Sequence, residues 1–312
     1  MKEKECTLVL DREKTEADVR RHFAKQIDLL VDLVNYGSNL IPRAYDSSAK
    51  KLEDIVVVAI LLKQVVSMID AVEVLISKGA VGPANLQARA AFEASLYIDW
   101  ILKGESRKKA EYYYVSNLRG QRLWALRFKT GTQEKEVFSP SLRDIENYVD
   151  IADLNRFEEE ANKELEKVDT FLSKPGWAEV NKEFEQKKNK KTGAEAYWYR
   201  LLGVSSIRQL AKDAGRITEY DWFYSRGSEI MHVASYKDHV RFSRGEIGFV
   251  PIRQLTNIDI VLRFVTSVAL SSFISILRHY RYGELQGFAR KYFQDWRAVF
   301  LNVPSVSYKP QT

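Results

Sequence analysis

The chain has 312 residues, of which 45% are hydrophobic and 12% aromatic, and this is ample apolar material for a folded core. Its length suggests one large domain or two small ones. The net charge of +6, from 48 basic and 42 acidic residues, is a mild excess that permits a nucleic-acid partner but is equally typical of a solvated surface of mixed charge.

Cysteine content and apolar runs exclude several classes of protein. The single cysteine, Cys6, can form neither an intrachain disulfide nor a cysteine metal site. The basic start "MKEKECTLVLDREK" is not followed by the apolar run of a secretory signal. The longest apolar run, Ile55–Leu62, has eight residues, whereas a membrane span needs about 20. We therefore expect a soluble, cytoplasmic protein with no membrane association.

The first two predicted elements are amphipathic helices. The first covers Thr15–Ile41, and Thr15 with Asp18 forms a capping pair at its start. The second runs from about Ser48 to Ser77. Apolar residues recur three and four positions apart in both helices. These residues are Val19, Phe23, Ile27, Leu30, Val31 and Val34 in the first helix, and Ile55, Leu62, Val65, Ile69, Val72 and Ile76 in the second.

Two further helices complete the N-terminal part of the predicted bundle. The third begins at Pro83 and is apolar round most of its surface, which is typical of a helix in the centre of a bundle. The fourth, Ser106–Lys129, is aromatic and basic.

Residues 131–200 differ in composition from the segments around them. The stretch "TGTQEKEVFSPS" is predicted to be a loop, and "LRDIENYVDIADLNRFEEEANKELEKVDTFL" a long exposed helix or helical hairpin. Glu185–Ala196 is a polar, basic loop. We interpret residues 131–200 as a helical insertion or protruding arm without a separate core.

The C-terminal third returns to the character of a bundle. A short helix capped by Ser205 or Ser206 ends at Gly215, and a second helix covers about Glu219–Ser235. The alternating stretch "VRFSRGEIGFVPI" predicts a small β-hairpin. A long buried helix ends near Gly283, and a last amphipathic helix precedes a disordered tail.

The predicted fold is all-α, a helical bundle with a charged helical insertion and one small β-hairpin. Residues 1–130 form the N-terminal half of the bundle, 131–200 the insertion, 201–300 the C-terminal half and 301–312 the tail.

Common catalytic motifs are missing from the sequence. It has no glycine-rich phosphate loop, no HExxH and no nucleophile-elbow sequence. Its four histidines, His22, His232, His239 and His279, are far apart along the chain. We expect no cofactor and no metal, although the sequence leaves open a metal site assembled across helices from His, Asp and Glu.

The stretch "YSRGSEIMH", Tyr224–His232, holds an arginine and a histidine in one predicted helix. At about 100° per residue, His232 lies on a polar sector and Arg226 lies on a flank, roughly 120° away. Gly227 would allow another helix or a second subunit to pack closely, or a bend that brings Arg226 toward His232. The polar sector comprises Asp221, Ser225, Ser228, Glu229, His232 and Tyr236, and the apolar face Phe223, Gly227, Ile230, Met231 and Ala234.

The alternative for this stretch is an amphipathic helix with a surface histidine and an arginine that extends its charge to water. Any helical protein of this size contains some Arg and His a turn or two apart.

Other charged residues are candidates for binding. Arg89 and Glu93 lie one turn apart on the apolar third helix, either as a structural ion pair or as part of a polar pocket. The fourth helix and the residues after it place basic side chains among aromatic ones, a pattern that suits single-stranded RNA but also suits a core with solvated basic ends. These basic residues are Arg119, Arg122, Arg127 and Lys129. The basic loop Lys187–Gly193 is either a phosphate contact or simply solvated.

Arg226-x5-His232 resembles the loose Arg-x4–6-His motif of the HEPN superfamily, whose members are all-helical. With "RAAFEASLYIDWIL" (Arg89–Leu102), Tyr113–Arg119 and Tyr220–His232, the chain looks like a widespread family of HEPN-like bacterial proteins. In that family an "R-x3-E" helix precedes a Tyr/Ser/His helix. The resemblance covers roughly residues 50–130 and 200–285.

The resemblance implies a homodimer that pairs through its motif helices and acts as a metal-independent ribonuclease in toxin–antitoxin or phage-defence systems, with RNA as substrate. His232 would act on the proton of the ribose 2′-OH or on the leaving oxygen, and Arg226 would bind the phosphate. Ser225, Ser228 or Glu229 would orient the histidine ring.

The same resemblance leaves a second hypothesis, a catalytically silent module that binds a nucleotide, an RNA or a partner protein such as an antitoxin. Gly227 departs from the polar residue that often follows the arginine in active members, and a shared fold does not establish catalysis.

Overall fold

The computed structural model describes residues 9–143, 157–188, 195–225, 227, 239–243 and 246–306. This part of the chain is mostly helical, as the all-α prediction requires. In chain order the helices are α1 (Arg12–Asp46), α2 (Val57–Ser77), α3 (Val81–Leu102), α4 (Ser106–Leu126), α5 (Gln133–Arg143), α6 (Glu158–Leu172), α7 (Trp177–Lys187), α8 (Trp198–Leu201), α9 (Ile207–Ala214), α10 (Ile217–Glu219), α11 (Ile258–Tyr280), α12 (Leu285–Lys291) and α13 (Arg297–Leu301).

Shorter elements connect or interrupt these helices. π-Helical turns cover Leu52–Val56, Tyr220–Tyr224 and Tyr292–Trp296, and a 3₁₀ turn covers Tyr282–Glu284. Strands β1 (Val240–Ser243) and β2 (Glu246–Phe249) pair antiparallel at the segment for which the alternating pattern predicts a hairpin.

The chain divides into two compact units, which are described separately. The large unit comprises Met1–Lys51, Val58–Gly104 and Ile207–Thr312, and the small unit comprises Leu52–Val57 and Glu105–Ser206.

Helix α1 begins one turn earlier than its sequence pattern predicts. The Asp11 carboxylate accepts a hydrogen bond from the backbone N–H of Lys14 at 3.1 Å and so caps the helix. Thr15 lies inside the first turn, where its hydroxyl donates to the Asp11 carbonyl at 2.6 Å. The predicted cap at Thr15 was therefore wrong, because an aspartate one turn upstream satisfies the free backbone donors.

The core of the large unit lies among long apolar helices. Five of the six residues predicted to form the stripe of the second helix lie in α2 and are buried there, which confirms that part of the pattern, while Ile55 is buried in the small unit. Helix α3 packs extensively against α11. At Gly37 in α1, an added Cβ would lie 2.6 Å from Val66 of α2 and 2.8 Å from the Phe273 ring of α11. Only glycine allows α1 to approach both helices this closely.

Two segments of the described chain are long and apolar enough to cross a membrane by length and composition alone. They are Leu52–Ser77 and Ile258–Tyr280, and half or more of each apolar window is buried inside the protein. Core helices of soluble proteins share this property, so the absence of a membrane partner stays a prediction.

In the small unit, the prediction of a loop at "TGTQEKEVFSPS" was wrong. Most of this stretch belongs to α5, and the Thr132 hydroxyl accepts from the backbone N–H of Lys135 at 3.2 Å. Thr132 therefore acts as a helix cap. Gly131, just before Thr132, is typical of a turn, and the sequence pattern therefore predicted a loop where the helix begins.

The small unit has a core of its own, which differs from the interpretation of residues 131–200 as an arm without one. Helix α4 packs against α6 and α7. Phe184 is fully buried in α7, and Ala125 of α4 clusters with Ala161 and Leu165 of α6. The predicted boundary at residue 131 also differs, because α4 lies in the same unit as the segments that follow it.

In the described part of the C-terminal region the predicted short helix is present and the predicted disordered tail is not, while most of the predicted helix Glu219–Ser235 lies outside the described residues. Helix α9 ends at Ala214, and Gly215 follows with a φ of +79°, as expected for a glycine stop. Val303 is buried, and its carbonyl accepts from Arg263 at 2.9 Å. The expectation of disorder was therefore wrong for residues 302–306, while residues 307–312 lie outside the described residues.

Candidate functional site

Residues Tyr220–His232, called the motif segment below, carry the Arg-x5-His motif. The segment begins with an irregular turn. Helix α10 passes into the π-helical turn Tyr220–Tyr224, in which the backbone N–H of Ser225 donates to the Tyr220 carbonyl. π-Turns inside helices are frequent at functional sites. The predicted catalytic residues Arg226 and His232 lie outside the described residues, as do Ser228 and Glu229.

The described part of this segment has the faces that its sequence predicts. Phe223 stacks on Phe264 of α11, with 4.3 Å between ring centroids, and Gly227 is buried. Trp222 is exposed. The apolar side therefore lies against the core of the large unit.

Tyr224 joins the motif segment to the charged residues of α3. Its hydroxyl accepts from Arg89 Nη2 at 2.9 Å and donates to Glu93 Oε2 at 2.8 Å. Tyr97 donates to the other Glu93 oxygen at 2.9 Å. The guanidinium carbon of Arg89 lies 4.3 Å from the centre of the Tyr224 ring. Arg89 and Glu93 are thus parts of one polar network, and its centre is a buried tyrosine.

The environment of Tyr224 keeps its hydroxyl protonated. Burial raises the pKa of this phenol, the negative charge and hydrogen bond of Glu93 raise it further, and Arg89 opposes them. A protonated hydroxyl can donate to Glu93 and accept from Arg89 at the same time. The network therefore keeps its hydrogen bonds across the physiological pH range.

Gly227 packs directly on this network. A Cβ at this position would lie 3.0 Å from Cδ and 3.2 Å from Cβ of Arg89. The glycine allows the motif segment to approach α3, as the sequence predicts for a neighbouring helix.

A second polar cluster holds the chain just before the motif segment. Arg216, which is 7% exposed, donates to Ser95 at 2.6 Å and to Asp99 at 2.9 Å on α3. Its other nitrogens form a bidentate pair with Glu219 at 2.8 Å. Ser275 of α11 donates to the second Asp99 oxygen at 2.6 Å.

The charges in this cluster compensate one another. Burial raises the pKa of Asp99, and the nearby Arg216 offsets part of that rise. Burial by itself would lower the pKa of Arg216, but Glu219 and Asp99 raise it. Arg216 therefore stays charged. Its contacts with α3 on one side and with Glu219 on the other hold the chain in place just before the motif segment.

Ser225 points back into its own helix. Its hydroxyl donates to the Asp221 carbonyl at 2.6 Å, so its one proton is already used within the segment. Asp221 itself pairs with Arg208 of α9 at 3.1 Å. In this arrangement Ser225 can offer a histidine ring only its oxygen, as an acceptor.

Arg119, predicted to bind RNA, is a buried structural cation in the small unit. It is 7% exposed and donates to both oxygens of Glu195, at 3.1 and 2.6 Å, and to Glu185 at 2.7 Å. Its hydrogen bond holds the pKa of Glu185 below its usual value. Asn181 accepts from the remaining nitrogen. Because these acceptors already surround the guanidinium, it is not presented to a phosphate.

The other three basic candidates lie nearer to solvent. Arg122 pairs with Asp169 of α6 at 2.7 Å. The guanidinium carbon of Arg127 lies 4.3 Å from the Trp124 ring centre and 5.2 Å from that of Phe138. Lys129 is exposed. The aromatic residues of α4 mostly pack inside the small unit, for example Tyr113 against Trp198 at 5.4 Å.

Sequence reasoning missed Tyr224 and Arg216. Tyr224 stands at the head of the "YSRGSEIMH" stretch, and its position on the wheel beside Phe223 could have placed it toward α3. Arg216 carries no local signal, because its partners Ser95 and Asp99 come from a helix more than a hundred positions earlier in the chain.

Among the described residues, no group of three or more His, Cys, Asp or Glu side chains is placed to hold a metal ion. The pairs that meet at this site are Arg89 with Tyr224, Tyr224 with Glu93, and Arg216 with the carboxylates of Asp99 and Glu219. Such an arrangement positions a helix rigidly and keeps charge buried beside it.

No curated protein and no solved structure matches the chain. A family model described as "Family of unknown function (DUF5677)" matches residues 54–247, a stretch that contains α3, α4 and the whole motif segment. Since that stretch is more than half of the chain, the protein belongs to the DUF5677 family.

Proposed function

We propose that this protein is a HEPN-type, metal-independent endoribonuclease that acts as a cytoplasmic homodimer, as a toxin or phage-defence effector. The observation that carries the proposal is the buried Arg89–Tyr224–Glu93 network. It fixes the helix two residues before Arg226, and catalytic groups need such support to keep their geometry.

The proposed chemistry uses Arg226 and His232. The ribose 2′-oxygen attacks the adjacent phosphorus, the bond from phosphorus to the 5′-oxygen breaks, and a 2′,3′-cyclic phosphate and a 5′-hydroxyl result. His232 accepts the 2′-OH proton or donates a proton to the leaving 5′-oxygen, a role suited to a side chain with an ordinary pKa of about 6.5. Arg226 stabilises the charge that develops on the phosphate.

The π-turn and Gly227 support this proposal through geometry. On an ideal helix Arg226 and His232 do not share a face, so one straight helix does not bring them together. The π-turn just before the motif interrupts the regular helical period, so the ideal wheel does not carry through it. Because Gly227 has no side chain, the motif segment can lie close to Arg89 of α3. In a dimer, a second copy of the chain can supply the arginine that pairs with His232 or the histidine that pairs with Arg226.

The test is cleavage of purified RNA by the full chain in EDTA. We expect wild type to cut single-stranded RNA into fragments with 2′,3′-cyclic phosphate ends, while RNA with a 2′-O-methyl group at the cut site stays intact. His232→Ala and Arg226→Ala should each lower the rate by about 100-fold or more.

Matched controls are His279→Ala and Arg290→Ala, which remove exposed residues of the same types and should leave the rate unchanged. Intact RNA with wild type across several RNA classes would contradict the proposal. Equal loss of activity in the control variants would do the same.

A second candidate function is a catalytically silent module that binds a nucleotide, an RNA or a partner protein such as an antitoxin. The observation that favours it is the pairing of Arg119 and Arg122 with carboxylates, because a strong RNA-cleaving surface needs cations available to phosphate. Binding of RNA without cleavage, unchanged in His232→Ala, would support this module over the enzyme.

A further inference from the structure

The β-hairpin presents one entirely apolar face. In its register Val240 faces Phe249 and Phe242 faces Ile247. Residues directly opposite each other in an antiparallel pair project to the same side of the sheet. All four side chains on this side are therefore apolar.

Three of the four side chains on this face are open to solvent, and Val240 is half-buried. Phe242 is 69% exposed, Ile247 65% and Phe249 71%. Ile252, three residues after the hairpin, is 65% exposed. Isolated exposed apolar residues are ordinary on a protein surface, but a contiguous group of this size marks a site of interaction.

The base of the hairpin is held firmly while its apolar face is not covered. Val250 donates to the His239 carbonyl at 2.9 Å, and Ile252 donates to Val9 at 2.8 Å. Gln254 donates to Gly79 at 2.9 Å. A two-stranded hairpin by itself is only marginally stable and needs packing on one face. The missing packing must come from outside the described part of this chain.

The area of the face suits a symmetric pair. At their exposed fractions, side chains of this size present about 100–150 Å² each. The four exposed side chains, those of Phe242, Ile247, Phe249 and Ile252, together present about 500 Å², and two such surfaces about 1,000 Å², which is the lower limit for a specific protein interface. The face carries no charge, so it is complementary to itself and lacks the cations that a nucleic acid would need.

We propose that this face, Val240, Phe242, Ile247 and Phe249 with Ile252, docks on the same face of a second copy of the chain. The contact is isologous, so each residue meets its own counterpart or a close neighbour across a two-fold axis. It covers the apolar surface of both hairpins and supplies the packing that each lacks alone.

The inference goes beyond the proposed ribonuclease, because it assigns the dimer contact to a hairpin and not to the motif helices alone. It does not rest on catalysis. A dimer through the hairpin that cuts no RNA would leave the inference standing and would remove the proposed function.

The test is the mass of the full chain in solution by light scattering, without RNA. We expect wild type at twice the chain mass of 36.1 kDa. Phe242→Thr with Phe249→Thr keeps residues that favour strands and should raise the dissociation constant at least about 100-fold. Phe293→Thr removes a side chain that is 65% exposed on another element and should leave the dimer intact.

A cross-linking experiment covers the case in which the double variant fails to fold. Because Cys6 is the only cysteine, a Cys6→Ser background with Ile247→Cys, or with Phe249→Cys, should form an intermolecular disulfide on mild oxidation. Cys6→Ser with Phe293→Cys should not.

Wild type at single-chain mass at about 100 µM, far above typical dimer dissociation constants, would overturn the inference, and so would a dimer that the hairpin variants leave unchanged. Single-chain protein that sediments with vesicles of anionic lipid would assign the face to a lipid surface instead.

Discussion

Arg216 shows how a buried charge is retained in this protein. Its guanidinium contacts Ser95, Asp99 and Glu219, and the ring of Phe92 lies 4.8 Å from its central carbon. A buried ion pair adds little net stability compared with a well-packed apolar pair, but the loss of one partner leaves an unpaired buried charge. The role of Arg216 is therefore to fix the geometry of the chain that leads to the motif.

Replacement of Arg216 should destabilise the protein strongly. We expect Arg216→Met to lower the free energy of unfolding by about 3–5 kcal/mol, because Asp99 is then buried without its cation. Urea unfolding followed by circular dichroism measures the change. The double variant Arg216→Met with Asp99→Leu should recover a large part of the loss, since it removes both charges.

Arg208→Met is the matched control for this experiment. Arg208 pairs with Asp221 near the surface, where both side chains are about half exposed. Arg208→Met should lower the free energy of unfolding by less than about 1 kcal/mol. If Arg216→Met costs no more than Arg208→Met, Arg216 does not have the role assigned to it.

At the scale of elements, helix packing depends on small residues at particular crossings. Gly37→Ala should destabilise the protein by about 1–3 kcal/mol, because the added methyl group meets Val66 and Phe273 at less than 3 Å. Gly120→Ala in α4 meets no atom within 4 Å. It should stabilise the helix by about 0.5–1 kcal/mol, since alanine favours helices over glycine.

The two glycine variants test packing and helix propensity separately. Thermal unfolding of both variants gives the measurement. A gain in stability for Gly37→Ala would show that α1 can move away from α2 and α11 at little cost. That result would contradict the close approach seen at this crossing.

Helices with a clear apolar stripe could be predicted from the sequence. The stripe of α2, from Leu62 to Ile76, is buried as expected, because its spacing of three and four residues matches the period of the helix. The stop of α9 at Gly215 follows from the freedom of glycine to adopt a positive φ. These signals are local, and a local pattern suffices to find them.

Other features depend on contacts that no local pattern shows. The π-turn at Tyr220–Tyr224 needs the packing of Tyr224 on α3, and the Arg216 cluster joins residues from three separate stretches. Arg119 looks like an RNA ligand beside aromatic residues, yet Glu185 and Glu195 are its partners. Of the supporting residues, Arg89 and Glu93 were therefore singled out from the sequence, whereas Tyr224 and Arg216 were not.

At the scale of the molecule, the two units should differ in stability. Smaller units generally bury a smaller fraction of their surface, so the core of the small unit should open first. We expect amide exchange, measured by mass spectrometry in increasing urea, to show α4, α6 and α7 losing protection before α3 and α11.

The helices α3 and α11 serve as internal references for each other, because they pack together in the large unit. They should lose protection at the same urea concentration. A single transition for all five helices would contradict the division into two units with separate cores.

The path of the chain between the units has a consequence for synthesis on the ribosome. Helix α3 packs on α11, yet Ile207–Thr312 follows only after the whole of Glu105–Ser206. At about 5–20 residues per second, roughly 4–15 s separate the synthesis of residue 206 from that of residue 280, where α11 ends. During that interval the apolar face of α3 lacks its partner, while the small unit is already available to fold. A chaperone that shields apolar helices would therefore find α3 exposed on the nascent chain until α11 has been made.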